Sequence, residues 1–293
     1  MKITIIANPI AGRGRAYRIL RRLVNNWPYR DWQCEFLSTR CAEHAGVMAL
    51  EQLASPPDLL AVCGGDGTLH EVVSTIPDPP FPVALLPAGT ANVLARDLGL
   101  PLDPARALDV ALRRTVRRVD LGRLTARAQH CFLLMAGIGF DAYVASRVRP
   151  AAKKRLGMLA YFFSILHSVS IYPFPEFRVS AGEEEYNATT CVIANAKGYG
   201  GGLVFTPAAD MFDGLLDIVL LEGKSRLGYL GFLWDAWRGH PGSRPWVRRL
   251  RVSSLSITGP RGIWVQADGE LVGTLPLEVH VAPRAFPLVT SSR

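Results

Sequence analysis

The sequence predicts a parallel α/β domain over residues 1–122, followed by an antiparallel β-sandwich domain over residues 123–282. Two observations carry this. In the first half, short unbroken apolar runs alternate with helical segments, the pattern of strands buried on both faces of a parallel sheet. Beyond Asp120 strands dominate, alternating and separated by turns, as in an antiparallel sandwich or barrel. At 293 residues the chain is long enough for two such cores.

In order, Ile3–Ala7 reads as a strand and Gly14–Asn25 as an arginine-rich amphipathic helix. Gln33–Ser38 follows as a strand, Ala42–Leu53 as a helix, and Leu59–Cys63 as a continuous apolar strand. Thr68–Ile76 reads as a helix and Val83–Leu86 as a fourth strand. The later strands are Cys131–Ala136, Phe177–Ser180, Thr190–Asn195, Leu215–Leu221, Leu250–Thr258, Ile263–Ala267 and Leu277–Val281. Two helices interrupt them, at Lys154–Ser170 and Leu227–Gly239. The tail, residues 283–293, is read as returning to the first domain.

Composition narrows the function classes. With 49% hydrophobic and 20% charged residues the chain is globular, not disordered. A net charge of +8 favours an anionic partner, either a nucleotide phosphate or an anionic membrane surface. The arginine groups lack the aromatic interleaving of a single-strand binder, so nucleic acid is not expected. Five widely spaced cysteines with no Cys-x-x-Cys pair indicate neither a zinc site nor a disulfide framework, and point to a reduced, cytoplasmic chain. The start runs straight into a strand with no signal-peptide pattern. The uncharged stretch Leu156–Pro175 approaches the length of a membrane span. Its Gly, Ser, His and Pro content reads instead as a buried or groove-lining helix.

The chemistry is carried by three loops. Gly64-Gly65-Asp66-Gly67-Thr68-Leu69-His70 follows the Leu59–Cys63 strand directly. Glycines let a backbone approach a phosphate closely, and the helix that follows offers free N–H groups and a positive dipole end. Asp66 is positioned to hold a metal-bound phosphate. A second loop, Pro87-Ala88-Gly89-Thr90-Ala91-Asn92, follows the Val83–Leu86 strand, and a third, Asn8-Pro9-Ile10-Ala11-Gly12-Arg13-Gly14, follows the first strand. Each alone is also a plain glycine turn. Together, at the carboxyl ends of successive parallel strands, they predict a nucleotide-binding crevice. Neither a Gly-x-x-x-x-Gly-Lys-Ser/Thr loop nor a complete Gly-x-Gly-x-x-Gly fingerprint is present.

These three loops resemble those of the diacylglycerol kinase catalytic-domain family, above all its soluble bacterial lipid kinases. The likeness continues through Gly137-Ile138-Gly139-Phe140-Asp141, Gly200-Gly201-Gly202 with Pro207-Ala208, Asp213-Gly214-Leu215-Leu216-Asp217 and Asp268-Gly269-Glu270. It therefore covers nearly the whole chain in collinear order. It implies an ATP-dependent kinase acting on the hydroxyl of a membrane lipid such as diacylglycerol, with ATP in the cleft between two domains. Nucleotide contacts would come from Asn8, Pro9, Ile10, Ala11 and Gly12, from Thr39, from Gly64 to His70, and from Gly89, Thr90 and Asn92. Glu270 matches the catalytic base, with Asp120 and Lys153 in support. A Mg2+ site would match Asp210, Asp213 and Leu215.

The chain departs from the family pattern at Val93, where many bacterial members carry Asp, and at His70, which replaces a common Asn. Two other readings stay open: a soluble-metabolite kinase of the NAD kinase type, and a nucleotide- or lipid-binding regulator that has lost catalysis. Substrate access would be peripheral, on an anionic membrane surface. Leu227–Trp237, with Trp234, Trp237 and then Trp246, is a candidate membrane-facing segment. The lipid is not legible; nor is the oligomeric state, and a homodimer stands open.

Overall fold

The computed structural model describes residues 1–147, 165, 167–223, 225–239 and 244–291. Lys153 and most of the expected Lys154–Ser170 helix lie outside these residues. The chain forms two compact units, Met1–Val119 with Arg284–Arg293, and Asp120–Pro283.

The first unit is a parallel sheet. β1 (Lys2–Ala7) lies between β2 (Gln33–Ser38) and β3 (Leu59–Gly64), and β4 (Val83–Pro87) pairs with β3; all these pairings are parallel. β3 and β4 are buried throughout, which is why they read as unbroken apolar runs. The helices are α1 (Arg15–Asn25), α2 (His44–Glu51), α3 (Asp66–Thr75), α4 (Val93–Asp97) and α5 (Pro104–Leu112). α5 is absent from the sequence reading although its signals are clear. Asp103 accepts hydrogen bonds from the N–H groups of Ala105 and Arg106, and Pro104 occupies the first helical turn. Ile3, Ile5, Leu59, Ala61 and Leu86 of the strands and Leu20, Ala107 and Leu108 of the helices share one core.

The second unit is antiparallel. β5 (Val116–Thr125) leads in from the first unit and forms a hairpin with β6 (Gln129–Phe132). A six-stranded sheet follows the order β12 (Val247–Val252), β11 (Leu216–Leu221), β10 (Thr190–Ala194), β7 (Met135–Gly139), β14 (Trp264–Ala267), β15 (Glu270–Thr274). Across the core, β8 (Phe177–Ala181) pairs with β9 (Glu184–Ala188) and with β13 (Ser254–Thr258), which pairs with the start of β16 (Leu277–Val289). Residues from both layers, among them Ile138, Ile193, Ile218, Val265, Val179, Ile257 and Val279, form one buried cluster. This is the expected sandwich. Helices α6 (Phe140–Arg147) and α7 (Arg226–Trp237) attach to it.

Three expectations are corrected. Cys131–Ala136 is not one strand: β6 ends at Phe132 and β7 begins at Met135, in different sheets. Leu250–Thr258 is not one strand: β12 ends at Val252 and β13 begins at Ser254, and the two belong to different sheets. The expected strands Ile263–Ala267 and Leu277–Val281 are not consecutive. The added strand β15 completes a hairpin first, in which Ala267 faces Glu270. β16 re-enters the first unit at its end, where Leu288 pairs with Val83 of β4 in parallel.

Candidate functional site

In the first unit, three loops leave the carboxyl ends of β1, β3 and β4 and touch one another. The Asn8 side chain folds back to accept the Ile10 N–H at 3.1 Å and donates to the Thr68 hydroxyl at 3.2 Å. The main chain of Asn8 donates to the Cys63 carbonyl at 2.9 Å, and that of Ala88 to the Gly64 carbonyl at 2.8 Å. Gly12 has φ +53°, and a Cβ there would stand 2.3 Å from the Ala88 carbonyl oxygen. At Gly89 a Cβ would stand 2.6 Å from the Cα of Gly65. Only glycine permits these approaches. Asn92, in the left-handed region at φ +47°, clamps its own loop: its Oδ1 accepts the Gly89 N–H at 2.8 Å and its Nδ2 donates to the Gly89 carbonyl at 3.0 Å.

Asp66 opens α3 but turns its carboxylate toward α4, accepting the N–H groups of Val93 at 3.0 Å and Leu94 at 3.1 Å. Its two oxygens therefore fasten the β3 loop to the β4 loop. The Val93 side chain is buried, a packed apolar residue beneath that cap. Gly67 differs from its neighbours: it is exposed, and a Cβ there would meet nothing within 4 Å. Thr90 is also exposed, while Thr39 is buried, with its N–H on the Ala7 carbonyl. Leu69 is a core residue, and the buried His70 ring shares a hydrogen bond with Ser74 at 3.1 Å. Both side chains are thus turned inward, and the Leu69 N–H donates to the Gly65 carbonyl at 3.2 Å.

In the second unit, Asp268 and Gly269, with φ +47° and +90°, form the two-residue turn between β14 and β15. An Asp-Gly pair at positive φ suits the tight hairpin turn whose twist matches its strands. Glu270 follows at once and is exposed. The turn is pinned. The Asp268 carboxylate accepts the N–H groups of Leu133, Leu134 and Met135 at 2.8, 2.9 and 2.9 Å. Gln266 accepts the Gly269 N–H at 2.7 Å and donates to Asp141 at 2.7 Å.

Asp120 is fully buried, and its carboxylate accepts the Gly214 N–H at 2.7 Å. Asn195 donates to the carbonyls of both Asp120 and Leu133, at 2.8 and 2.7 Å, so Asp120 and the Glu270 turn share one hydrogen-bonded framework.

The acids of the loop expected to hold Mg2+ have these partners. Asp213 forms an ion pair with Arg251 through one oxygen and accepts the Leu215 N–H through the other at 2.9 Å. Asp210 accepts the Phe212 N–H at 3.2 Å. Burial pushes the Asp217 carboxyl up and Arg251, 3.6 Å away, draws it down, while Asp213 and Asp210 add to the rise. Among the described residues no group of three or more His, Cys, Asp or Glu side chains converges as a metal site. Magnesium demands near-octahedral oxygen ligands, and here a guanidinium already balances the acidic loop.

Comparison with known proteins decides the family. Residues 2–124 match the diacylglycerol kinase catalytic domain, and residues 135–290 match the YegS C-terminal NAD kinase beta sandwich-like domain. A Mycobacterium tuberculosis (strain ATCC 25618 / H37Rv) protein named "Diacylglycerol kinase" is 30% identical over 98% of this chain and 94% of its own. The chain belongs to the diacylglycerol kinase catalytic-domain family. It is a kinase. A Pseudomonas aeruginosa PAO1 relative, "Probable lipid kinase YegS-like", is 35% identical over 80% of this chain and 78% of its own. The fold matches the crystal structure of a diacylglycerol kinase from Bacillus anthracis str. Sterne, with TM-score 0.75 and 22% identity, over 99% of this chain and 97% of that one.

The residues of the three glycine loops and Thr39 thus lie in the first unit, and Asp120, Asp210, Asp213, Leu215 and Glu270 in the second. Lys153 lies outside the described residues. Sequence reasoning assigned no role to Asp268, Gln266, Asn195 or Asp141. Asp268 and Asp141 stood inside recognised motifs. Gln266 and Asn195 sit at the ends of apolar strands, where a buried amide gives no sequence signal.

Proposed function

We propose that this kinase transfers the γ-phosphoryl group of ATP to the hydroxyl of a membrane lipid such as diacylglycerol. The observation that carries it is the convergence of the Asn8–Gly12, Gly64–Thr68 and Gly89–Asn92 loops at one end of a parallel sheet, in a chain of this family. Family membership as a kinase implies ATP use. The glycines and the start of α3 would take the phosphates through main-chain N–H groups. Gly67 and Thr90, which are exposed, and Asn8 and Gly65, which are half-buried, are the groups best placed to meet the nucleotide, and Thr39 is assigned to it by the family resemblance alone.

In the transfer, a bond forms between the lipid oxygen and the γ-phosphorus, and the bond from that phosphorus to the bridging oxygen breaks, releasing ADP. The hydroxyl proton passes to the carboxylate of Glu270. The pinned Asp268-Gly269 turn fixes where that carboxylate stands, and Asp120 anchors the same framework from its buried end. By the family resemblance, Lys153 joins them in support. Such catalysis rests mainly on positioning and charge stabilisation.

The test follows labelled γ-phosphate from Mg-ATP to diacylglycerol, phosphatidylglycerol, a sphingoid base and ceramide in mixed micelles, with NAD as soluble acceptor. One lipid is expected to take the label, and Glu270→Gln to lower the rate by about a hundredfold or more. Label on NAD alone would replace this reading with a soluble-metabolite kinase. No label on any acceptor, despite ATP binding, would leave a non-catalytic regulator.

A further inference from the structure

Helix α7 is apolar on two opposite faces, and among the described residues only one of them packs against the fold. Its inner face is fastened by aromatic contacts. Tyr229 lies 4.5 Å from Phe140 and 5.7 Å from Phe174 between ring centroids, and Phe232 stacks on Phe205 at 5.5 Å. Ser225 caps the start, accepting the Gly228 N–H at 3.1 Å, and Val204 donates to the Ala236 carbonyl at 3.0 Å. The helix therefore cannot roll to bury its other side.

That other side carries Leu227, Trp234 and Trp237, spaced seven and three residues apart and so on one face. They are 81%, 57% and 59% exposed, and the two indole rings lie 5.2 Å apart. Two adjacent exposed tryptophans on a fixed helix are costly in water unless something covers them.

The charges around this face specify the cover. Asp235, the one acidic residue of α7, is held by Arg244 through two hydrogen bonds of 2.9 and 2.6 Å. Arg226 and Arg238 are exposed at the two ends of the helix. An apolar, tryptophan-bearing face edged by arginine, with its acid neutralised, complements an anionic bilayer surface: indole rings settle at the headgroup level and guanidinium groups meet lipid phosphates.

We infer that the outer face of α7 is the element by which this protein docks on an anionic lipid bilayer. The inference rests on the lipid-kinase reading for its biological sense, but its test does not use turnover. The full chain, without ATP, is floated with vesicles of phosphatidylcholine alone and of phosphatidylcholine mixed with phosphatidylglycerol. Quenching of tryptophan emission by brominated lipid is read in parallel.

The wild type is expected to float with the mixed vesicles and to be quenched. Trp234→Ser with Trp237→Ser should weaken partition by about tenfold or more, from the apolar area lost. Arg226→Gln should weaken it about fivefold, and only on the anionic vesicles. Because these side chains are exposed, melting temperatures should match the wild type and show that folding is intact. Equal partition of wild type and double variant would overturn the inference. So would a wild-type dimer that the double variant dissolves with no change on vesicles, since the face would then join two copies of this chain. A protein that docks yet phosphorylates no lipid would fail the kinase reading alone. One that phosphorylates lipid in micelles but docks no better than the double variant would fail this inference alone.

Discussion

Gly67 and Gly89 stand in neighbouring loops but are glycine for different reasons. A Cβ at Gly89 would meet the Cα of Gly65 at 2.6 Å and the Asn92 amide oxygen at 2.9 Å, so Gly89→Ala should cost about 1–3 kcal/mol through overpacking. At Gly67 nothing in the protein stands in the way, and alanine in the first turn of α3 should be neutral or stabilising by up to about 1 kcal/mol. If the open space above Gly67 is where a phosphate sits, Gly67→Ala should leave the melting temperature unharmed yet weaken ATP binding by at least about tenfold, a loss near 1.4 kcal/mol. Calorimetry on the two variants separates the cases. Unchanged ATP affinity in Gly67→Ala would remove the phosphate from that loop.

Asp141 gives a second residue-scale prediction. Burial pushes its carboxyl up, and the hydrogen bonds from Tyr199 and Gln266 only partly offset this. A Cβ at Gly137 would lie 1.7 Å from its Oδ2, so the pocket is shaped tightly around it. With the folded value raised, the folded state holds the proton more strongly than the unfolded chain. Its contribution to stability is therefore complete below the ordinary carboxylate range and is lost as pH rises through the raised value. Asp141→Asn keeps an acceptor for Gln266, replaces the acceptor of the Tyr199 hydroxyl by an amide N–H₂ that can donate to the Tyr199 oxygen, and removes the titration. Urea unfolding at about pH 5 and about pH 8 should show the variant gaining on the wild type at the higher pH. A difference that stays constant with pH would mean that Asp141 does not titrate differently on folding.

At the scale of elements, the β14–β15 hairpin is the piece on which the proposed chemistry hangs. Asp268→Asn keeps the size but turns an amide N–H₂ toward one of three backbone donors. Losing one hydrogen bond to a charged group should cost about 2 kcal/mol. Because the turn also aims Glu270, kcat should fall while KM for ATP holds. A loss of stability with kcat intact would make Asp268 a fold residue only.

This hairpin also marks where the sequence was legible and where it was not. The Asp268-Gly269 pair announces its turn, and β3 announces a parallel strand because all six of its residues are buried. By contrast β9, Glu184–Ala188, carries a polar edge sequence whose pairing with β8 no local pattern reveals. The change of sheet at Ser253 interrupts a run that reads as one strand. Among the site residues, glycine loops were readable because each fixes a local conformation. The Asp66 cap on α4 and the Asn195 bridge between Asp120 and Leu133 were not, since both join segments far apart in sequence.

For the whole molecule, the five cysteines offer a report on both units at once. Cys41 is exposed, whereas Cys63, Cys131 and Cys191 are buried. Burial pushes the thiols of Cys34 and Cys63 up to about 12, and those of Cys131 and Cys191 up as well. Thiolates are the reactive form, so the native protein should show one fast thiol near neutral pH, abolished by Cys41→Ser. The buried thiols then serve as clocks of unfolding. Cys63 is the last residue but one of β3 in the first unit, and its carbonyl holds Asn8; Cys191 lies in β10 of the second. A ligand that binds only folded protein stabilises it by about 2.7 kcal/mol at a hundredfold excess over its Kd. With Mg-ATP at that level, pulse alkylation in rising urea, read by mass spectrometry, should find the Cys63 midpoint displaced upward by that amount. A Cys63 midpoint indifferent to ATP, under conditions where binding is measured, would place the nucleotide elsewhere than on the loops of β1, β3 and β4.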